Sequence, residues 1–220
     1  VLEFLEIATG PKPRLAVIWL HGLGADGHDF EPIVPELGLK FAARFVFPHA
    51  PVRPVTINGG MAMRAWYDIL GFDRNAAEDA AGIRASAAAV TELIDNEIER
   101  GTPAERIVLA GFSQGGAIAL QTALREPRRL GGVMALSTYL PLAGSLPAER
   151  SAANAGLPIF MAHGTADNVL PLALGESSRR VLEASGYRVE WHAYAMAHSV
   201  CLEEIGAIGA WLAARVPREG

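Results

Sequence analysis

The chain has 220 residues, half of them hydrophobic, with 19 basic and 24 acidic side chains and a formal net charge of −5. That length suits one α/β domain able to bury most of the surface its unfolded form exposes, and residues 1–220 are read as such a unit. The lack of a Lys/Arg cluster argues against nucleic acid or anionic lipid as partners, and the lack of a long apolar run argues against a membrane span. The single cysteine, Cys201, can build neither an internal disulfide nor a structural zinc site, so the default compartment is cytoplasmic. Residues Val1–Glu6 lack the basic and apolar runs of a signal peptide. The high apolar fraction leaves room for a homodimer without locating an interface.

In chain order, short apolar runs alternate with longer segments of helical period. This is the pattern of a mostly parallel sheet with helices on both faces. Strands are predicted at Glu3–Ile7, as an antiparallel edge, then at Ala16–Leu20 and Arg44–Phe47. The stretch Pro48–Phe72 mixes Pro, Gly and aromatic residues without a period and is read as a long irregular excursion over the sheet; loops of that length are usually functional or disordered, and the aromatic content favours the former. A long helix at Asp79–Arg100 carries Ile83, Ala87, Val90, Leu93, Ile94 and Ile98 on one face. A strand at Ile107–Ala110, a helix of small apolar residues at Gln114–Leu124, and strands at Gly132–Leu136 and Ile159–Ala162 follow. The helix Leu172–Ser185 stops at Gly186. The strand Val189–Tyr194 and a helix Val200–Arg215, ending before Pro217, close the pattern.

The central chemical signal is Gly111-Phe112-Ser113-Gln114-Gly115, a Gly-x-Ser-x-Gly sequence between a β-branched apolar run and an Ala-rich helix. Such a turn exposes a serine hydroxyl at the sheet edge, and its glycines are needed because a Cβ there would strike neighbouring backbone. In a chain with 23 glycines the pattern alone is weak; Ser113 could simply cap a helix. The partners decide. A serine needs a base, and the base an orienting acid, in the order Ser, acid, His for this arrangement. Of the histidines after Ser113, His163 precedes the loop that must supply the acid and His192 lies within an alternating strand. His198 sits in a short loop between the last strand and last helix. Among the acids between Ser113 and His198, only Asp167 lies in a loop directly after a buried apolar strand. Ser113, Asp167 and His198 are therefore the candidate triad. Leu20-His21-Gly22-Leu23-Gly24 is a strand running into a glycine-rich loop, which makes the Leu23 N–H a candidate oxyanion donor beside the Gln114 N–H at a helix start. The loop lacks the ending of a phosphate-binding motif.

With these segments in view, the chain resembles the small bacterial carboxylesterases related to lysophospholipases and acyl-protein thioesterases, within the α/β-hydrolase superfamily. The likeness runs through Leu20–Gly24, Pro48-His-Ala-Pro51, Thr56–Gly60, Arg64–Asp68, Gly111–Gly116, His163–Asp167 and Met196–Ser199, nearly the whole chain. Ala197 departs from the Gly usual before the histidine. The resemblance implies the same triad and oxyanion donors and no metal or organic cofactor; the chain length itself leaves little room for a large lid. It also suggests that Trp66, Ile69 and Leu70 line the acyl pocket, although for Trp66 core packing is an equal reading. The expected activity is a serine carboxylesterase acting on short- to medium-chain esters as small-molecule substrates. The alternative is a lysophospholipase or acyl-(protein) thioesterase with the same triad. A dienelactone hydrolase is disfavoured by serine at the elbow. A ligand-binding receptor on a hydrolase fold is the reading from another class.

Overall fold

The computed structural model describes residues 2–71 and 77–216. Seven strands form one sheet: β1 (Phe4–Ala8), β2 (Leu15–Leu20), β3 (Ala43–Pro48), β6 (Ile107–Phe112), β7 (Gly132–Leu136), β8 (Ile159–Gly164) and β9 (Val189–Tyr194), in the spatial order β1-β3-β2-β6-β7-β8-β9. All neighbouring pairs are parallel except β1–β3, so the predicted antiparallel edge is present. This is the α/β-hydrolase arrangement, with helices on both faces.

The burial of β2 shows why the sheet is two-sided. All six of its residues are buried. Ala16, Ile18 and Leu20 enter one core cluster, while Leu15, Val17 and Trp19 enter the other. A strand covered on both faces reads as a continuous apolar run rather than an alternation. On the first face α1 (Ala80–Glu99) contributes Ile83, Val90, Leu93 and Ile94, α2 (Gln114–Ala123) is buried throughout, and α4 (Leu172–Ala184) adds Leu182. On the second face α5 (Leu202–Ala213) supplies Ile205, Ile208, Trp211 and Leu212 against Phe45, Phe160 and Leu37. Each such large side chain withdrawn from water stabilises the fold by ~1.5–3 kcal/mol.

Two sequence expectations change. The excursion after β3 is not wholly irregular: β4 (Val52–Val55) and β5 (Met61–Arg64) pair as an antiparallel hairpin through a turn in which Gly59 and Gly60 adopt positive φ of 65° and 78°. Its strands are only four residues long and partly exposed, too short to print an apolar period. Phe72, the predicted end of that excursion, lies outside the described residues. The last helix begins at Leu202 rather than Val200, because Cys201 is extended (φ −119°, ψ 166°) and acts as the N-cap. A short helix, α3 (Leu146–Glu149), was also not foreseen; it is a single turn. Asp79, at the N-cap of α1, accepts from the Gly82 N–H and from the Asp68 N–H, both at 2.9 Å, and so ties the excursion to the helix.

Candidate active site

The C-terminal ends of β2, β6, β8 and β9 lie along one edge of the sheet, where an open α/β sheet presents its ligands. At the end of β6 the chain turns into α2 through Ser113, whose φ of 53° and ψ of −122° are strained for a residue with a Cβ. Such a backbone costs ~1–3 kcal/mol and persists only where the surroundings over-determine it. Here the Ser113 N–H donates to the Leu136 carbonyl at 2.9 Å, and the Ser113 carbonyl accepts from the Ala117 N–H at 3.2 Å. The flanking glycines have the role expected of them. A Cβ on Gly111 would collide with the Gly115 backbone, and one on Gly115 with the carbonyls of Leu20 and His21.

Asp167 follows β8. Its Oδ1 accepts the N–H groups of Val169 and Leu170 at 2.9 and 2.8 Å, and its Oδ2 lies 2.7 Å from His198 Nδ1. A carboxylate only accepts, so His198 carries its proton on Nδ1 and leaves Nε2 as a free base. The imidazole packs against Phe112, with ring centroids 4.7 Å apart. Gly164 is required beneath this loop, because a Cβ there would strike the carbonyls of Met196 and Ala197. Ala197, the one departure from the expected loop, is exposed.

Ser113 and His198 line a common cavity of about 290 Å³, together with Leu23, Gln114 and the apolar side chains of Ile57 and Ile69. Tyr67 and Tyr139 add a pair of hydroxyls 2.7 Å apart, and burial raises both phenols above their ordinary range. A larger hollow of about 660 Å³ near Ile7 and Lys40 is lined by no serine, cysteine or histidine, so volume alone does not locate the chemistry. Among the described residues no large insertion covers the mouth of the triad cavity, and no cluster of His, Cys, Asp or Glu could hold a metal ion. The arrangement suits attack by a hydroxyl on an acyl carbonyl.

Matching the residues to their predicted places, the structure brings Ser113, Leu23, Gln114, His198 and Ile69 to one cavity, with Asp167 bonded behind His198. Trp66 is a correction: its side chain is wholly buried and cannot touch a substrate. Its indole N–H donates to the His21 carbonyl at 2.9 Å, and its backbone N–H donates to Gln114 Oε1 at 2.8 Å. It is a strut between the excursion and the two loops of the site, because an indole of that size filled the core sooner than the cleft. Leu70 is 45% exposed and is not among the lining residues. Sequence reasoning missed Ile57, Tyr67, Tyr139 and Phe112; the last was visible only as the variable position of the elbow.

Residues 4–215 match the family described as Phospholipase/Carboxylesterase. The chain belongs to that family. The Neurospora crassa protein named Acyl-protein thioesterase 1 is 43% identical over 97% of this chain and 92% of its own. The protein of the same name from Mycosarcoma maydis is 39% identical over 100% and 99%. Among solved structures, Arabidopsis thaliana SOBER1 superposes with a TM-score of 0.87 at 33% identity, over 91% of this chain and 98% of that one. Zea mays acyl-protein thioesterase 2 gives 0.84 at 30%, over 96% and 98%. Membership makes the chain a hydrolase of ester bonds. These relatives are fungal and plant, so the expected bacterial affinity has no support. No helix among the described residues is long and apolar enough to cross a membrane.

Proposed function

We propose that the protein is an acyl thioesterase that works through an acyl-enzyme on Ser113 and takes acyl chains linked to cysteine sulfur on proteins. The observation that carries the chemistry is the Asp167–His198 hydrogen bond of 2.7 Å, opening onto the cavity that contains the strained Ser113. The choice of a thioester over the carboxylesterase reading is supported by relatives of 43% and 39% identity that carry the thioesterase name. The apolar walls at Leu23, Ile57 and Ile69 suit the acyl chain.

In the proposed reaction His198 Nε2 takes the Ser113 proton as Oγ attacks the acyl carbon. The tetrahedral oxyanion is met by the N–H groups of Leu23 and Gln114, the latter at the start of α2, where opening amides have no intrahelical acceptor. The carbon–sulfur bond breaks and the thiol leaves. A thiol of pKa ~8.5 departs with less help from a general acid than an alcohol does, so the half-reaction demands less of protonated His198. Water, deprotonated by His198, then attacks the acyl-serine and releases the carboxylic acid and free Ser113.

Two measurements test this. A fluorophosphonate should label Ser113, and Ser113→Ala should abolish labelling and turnover; labelling that survives would remove the nucleophile. Matched oxygen and sulfur esters of graded chain length should then show a higher kcat/KM on the thioester. Preference for the oxygen ester would return the enzyme to the carboxylesterase reading, and slow turnover with a long-lived bound ligand would favour a receptor.

A further inference from the structure

Each of the two amides assigned to the oxyanion belongs to a peptide whose carbonyl is held from behind by a buried side chain. The first is the Gly22–Leu23 peptide. Its carbonyl lies 2.7 Å from His21 Nδ1, while the Ala50 N–H donates to His21 Nε2 at 3.0 Å. A backbone amide can only donate, so Nε2 is the lone-pair nitrogen and Nδ1 carries the proton. His21 is 1% exposed, and burial pushes its pKa down to about 4, which keeps this neutral tautomer in place. The second is the Ser113–Gln114 peptide, whose carbonyl accepts from the Thr138 hydroxyl at 2.6 Å, again in a buried setting. Both peptides are trans. In a planar trans peptide the C=O and N–H point in opposite directions, so fixing one aims the other. A donor on the carbonyl also polarises the amide and strengthens its N–H, an effect put at ~10–30% per bond.

We propose that His21 and Thr138 are positioning residues for the oxyanion site, each donating to the carbonyl of the peptide whose opposite N–H, Leu23 or Gln114, receives the developing negative charge. The inference rests on the serine-hydrolase reading above. A purely structural role is the competing account, most of all for Thr138, which could do no more than brace the strained Ser113. The two accounts differ in what they make the rate depend on. Poor bracing of Ser113 slows attack on any acyl carbon. Poor aiming of the amides matters only to the extent that the atom becoming negative is a good hydrogen-bond acceptor.

The probe is therefore a matched pair of an ester and its thionoester, in which sulfur replaces the carbonyl oxygen. Sulfur is the weaker acceptor and sits on a longer bond, so it draws less from the two amides. Thr138→Val keeps the side-chain shape and removes the donor. Expected is a fall in kcat on the ester of about tenfold, a fraction of the ~10²–10³ that follows outright loss of a donor, with KM within about twofold. The thionoester should be affected far less, so the ester-to-thionoester ratio drops, and Thr138→Ser should restore it. At the other peptide, His21→Asn keeps a donor near the Nδ1 position and should preserve the ratio, whereas His21→Leu should lower it. This second pair carries the test if Thr138→Val does not fold, as thermal melting would reveal. Equal slowing of both substrates, or an unchanged ratio in Thr138→Val and His21→Leu, overturns the proposal. Failure of the parent reading looks different: the unmodified protein would then not be labelled at Ser113 by a fluorophosphonate.

Discussion

Asp167→Asn changes one atom, and the structure dictates which way the new amide must face. Asp167 Oδ1 receives two backbone N–H donors, from Val169 and Leu170, at 2.9 and 2.8 Å. An amide NH₂ placed there would confront both, so the asparagine carbonyl takes that position and its NH₂ takes the place of Oδ2. That site is 2.7 Å from His198 Nδ1. The nitrogen next to a new donor must become an acceptor, so the imidazole proton moves to Nε2, the atom needed to receive the Ser113 proton. The fold keeps its hydrogen bonds while the base is held in the wrong tautomer. The same exchange in a serine triad lowers kcat by ~10⁴, which corresponds to ~5.5 kcal/mol of barrier. Steady-state hydrolysis of a chromogenic acyl ester, with thermal melting measured in parallel, provides the assay. Expected is a loss of that order with KM little changed and a melting temperature within about 2 °C, a shift of ~1 kcal/mol or less. A kcat loss below tenfold in a folded variant would refute the assignment of Asp167 as the orienting acid.

Trp66→Phe should destabilise the protein by ~1–3 kcal/mol, because the buried His21 carbonyl loses its indole donor, while KM stays within about twofold; a large rise in KM with unchanged melting would return Trp66 to the pocket wall. For His21, whose pKa is lowered to about 4, the folded state binds fewer protons than the unfolded one below about pH 6.5. Its contribution to stability is thus present above that value and lost as pH falls through 4, up to about 3 kcal/mol, and urea midpoints from pH 7 to 4 should fall less steeply in His21→Asn than in the unmodified protein. Glu204 behaves oppositely: burial raises its carboxyl to about 8, so its stabilising neutral form is complete below the ordinary carboxylate range and lost as pH rises through 8. Glu204→Gln should therefore raise the melting temperature at pH 9 by several degrees and change it little at pH 5; equal shifts at both would show that the carboxyl is already ionised at pH 5.

The strands of the sheet and the segments that carry the candidate triad were legible because each depends on near-neighbour pattern. β7 and β9 have the limits that their apolar runs predict, and β6 is longer than its predicted run only by Gly111 and Phe112, the approach to the elbow. Ser113 announces itself through the spacing of its glycines, of which Gly111 is needed for a local reason, the Gly115 backbone, and Gly115 for a distant one, the carbonyls of Leu20 and His21. His198 and Asp167 were found by position in a strand–loop–helix order, with no need to know a distance. The hairpin β4–β5 left no such trace, since four-residue strands with exposed Val52 and Met61 carry no alternation.

The parts that were not legible are held by carbonyls, and a carbonyl is the same in every residue. His21 acts on Gly22, its neighbour, yet its tautomer is set by Ala50, 29 positions away. Thr138 acts on the backbone of Ser113 across 25 positions, and Trp66 reaches the His21 carbonyl across 45. None of these pairings requires a particular residue type at the accepting end, so no spacing or composition can point to them. The sequence does mark the donors indirectly, because a polar side chain in a buried, apolar setting must find a partner. His21 at the end of the fully apolar β2, and Thr138 just after the fully buried β7, are both of this kind. Such residues beside a nucleophile are better first guesses for hidden support of a site than large aromatics like Trp66, whose size suits wall and core alike.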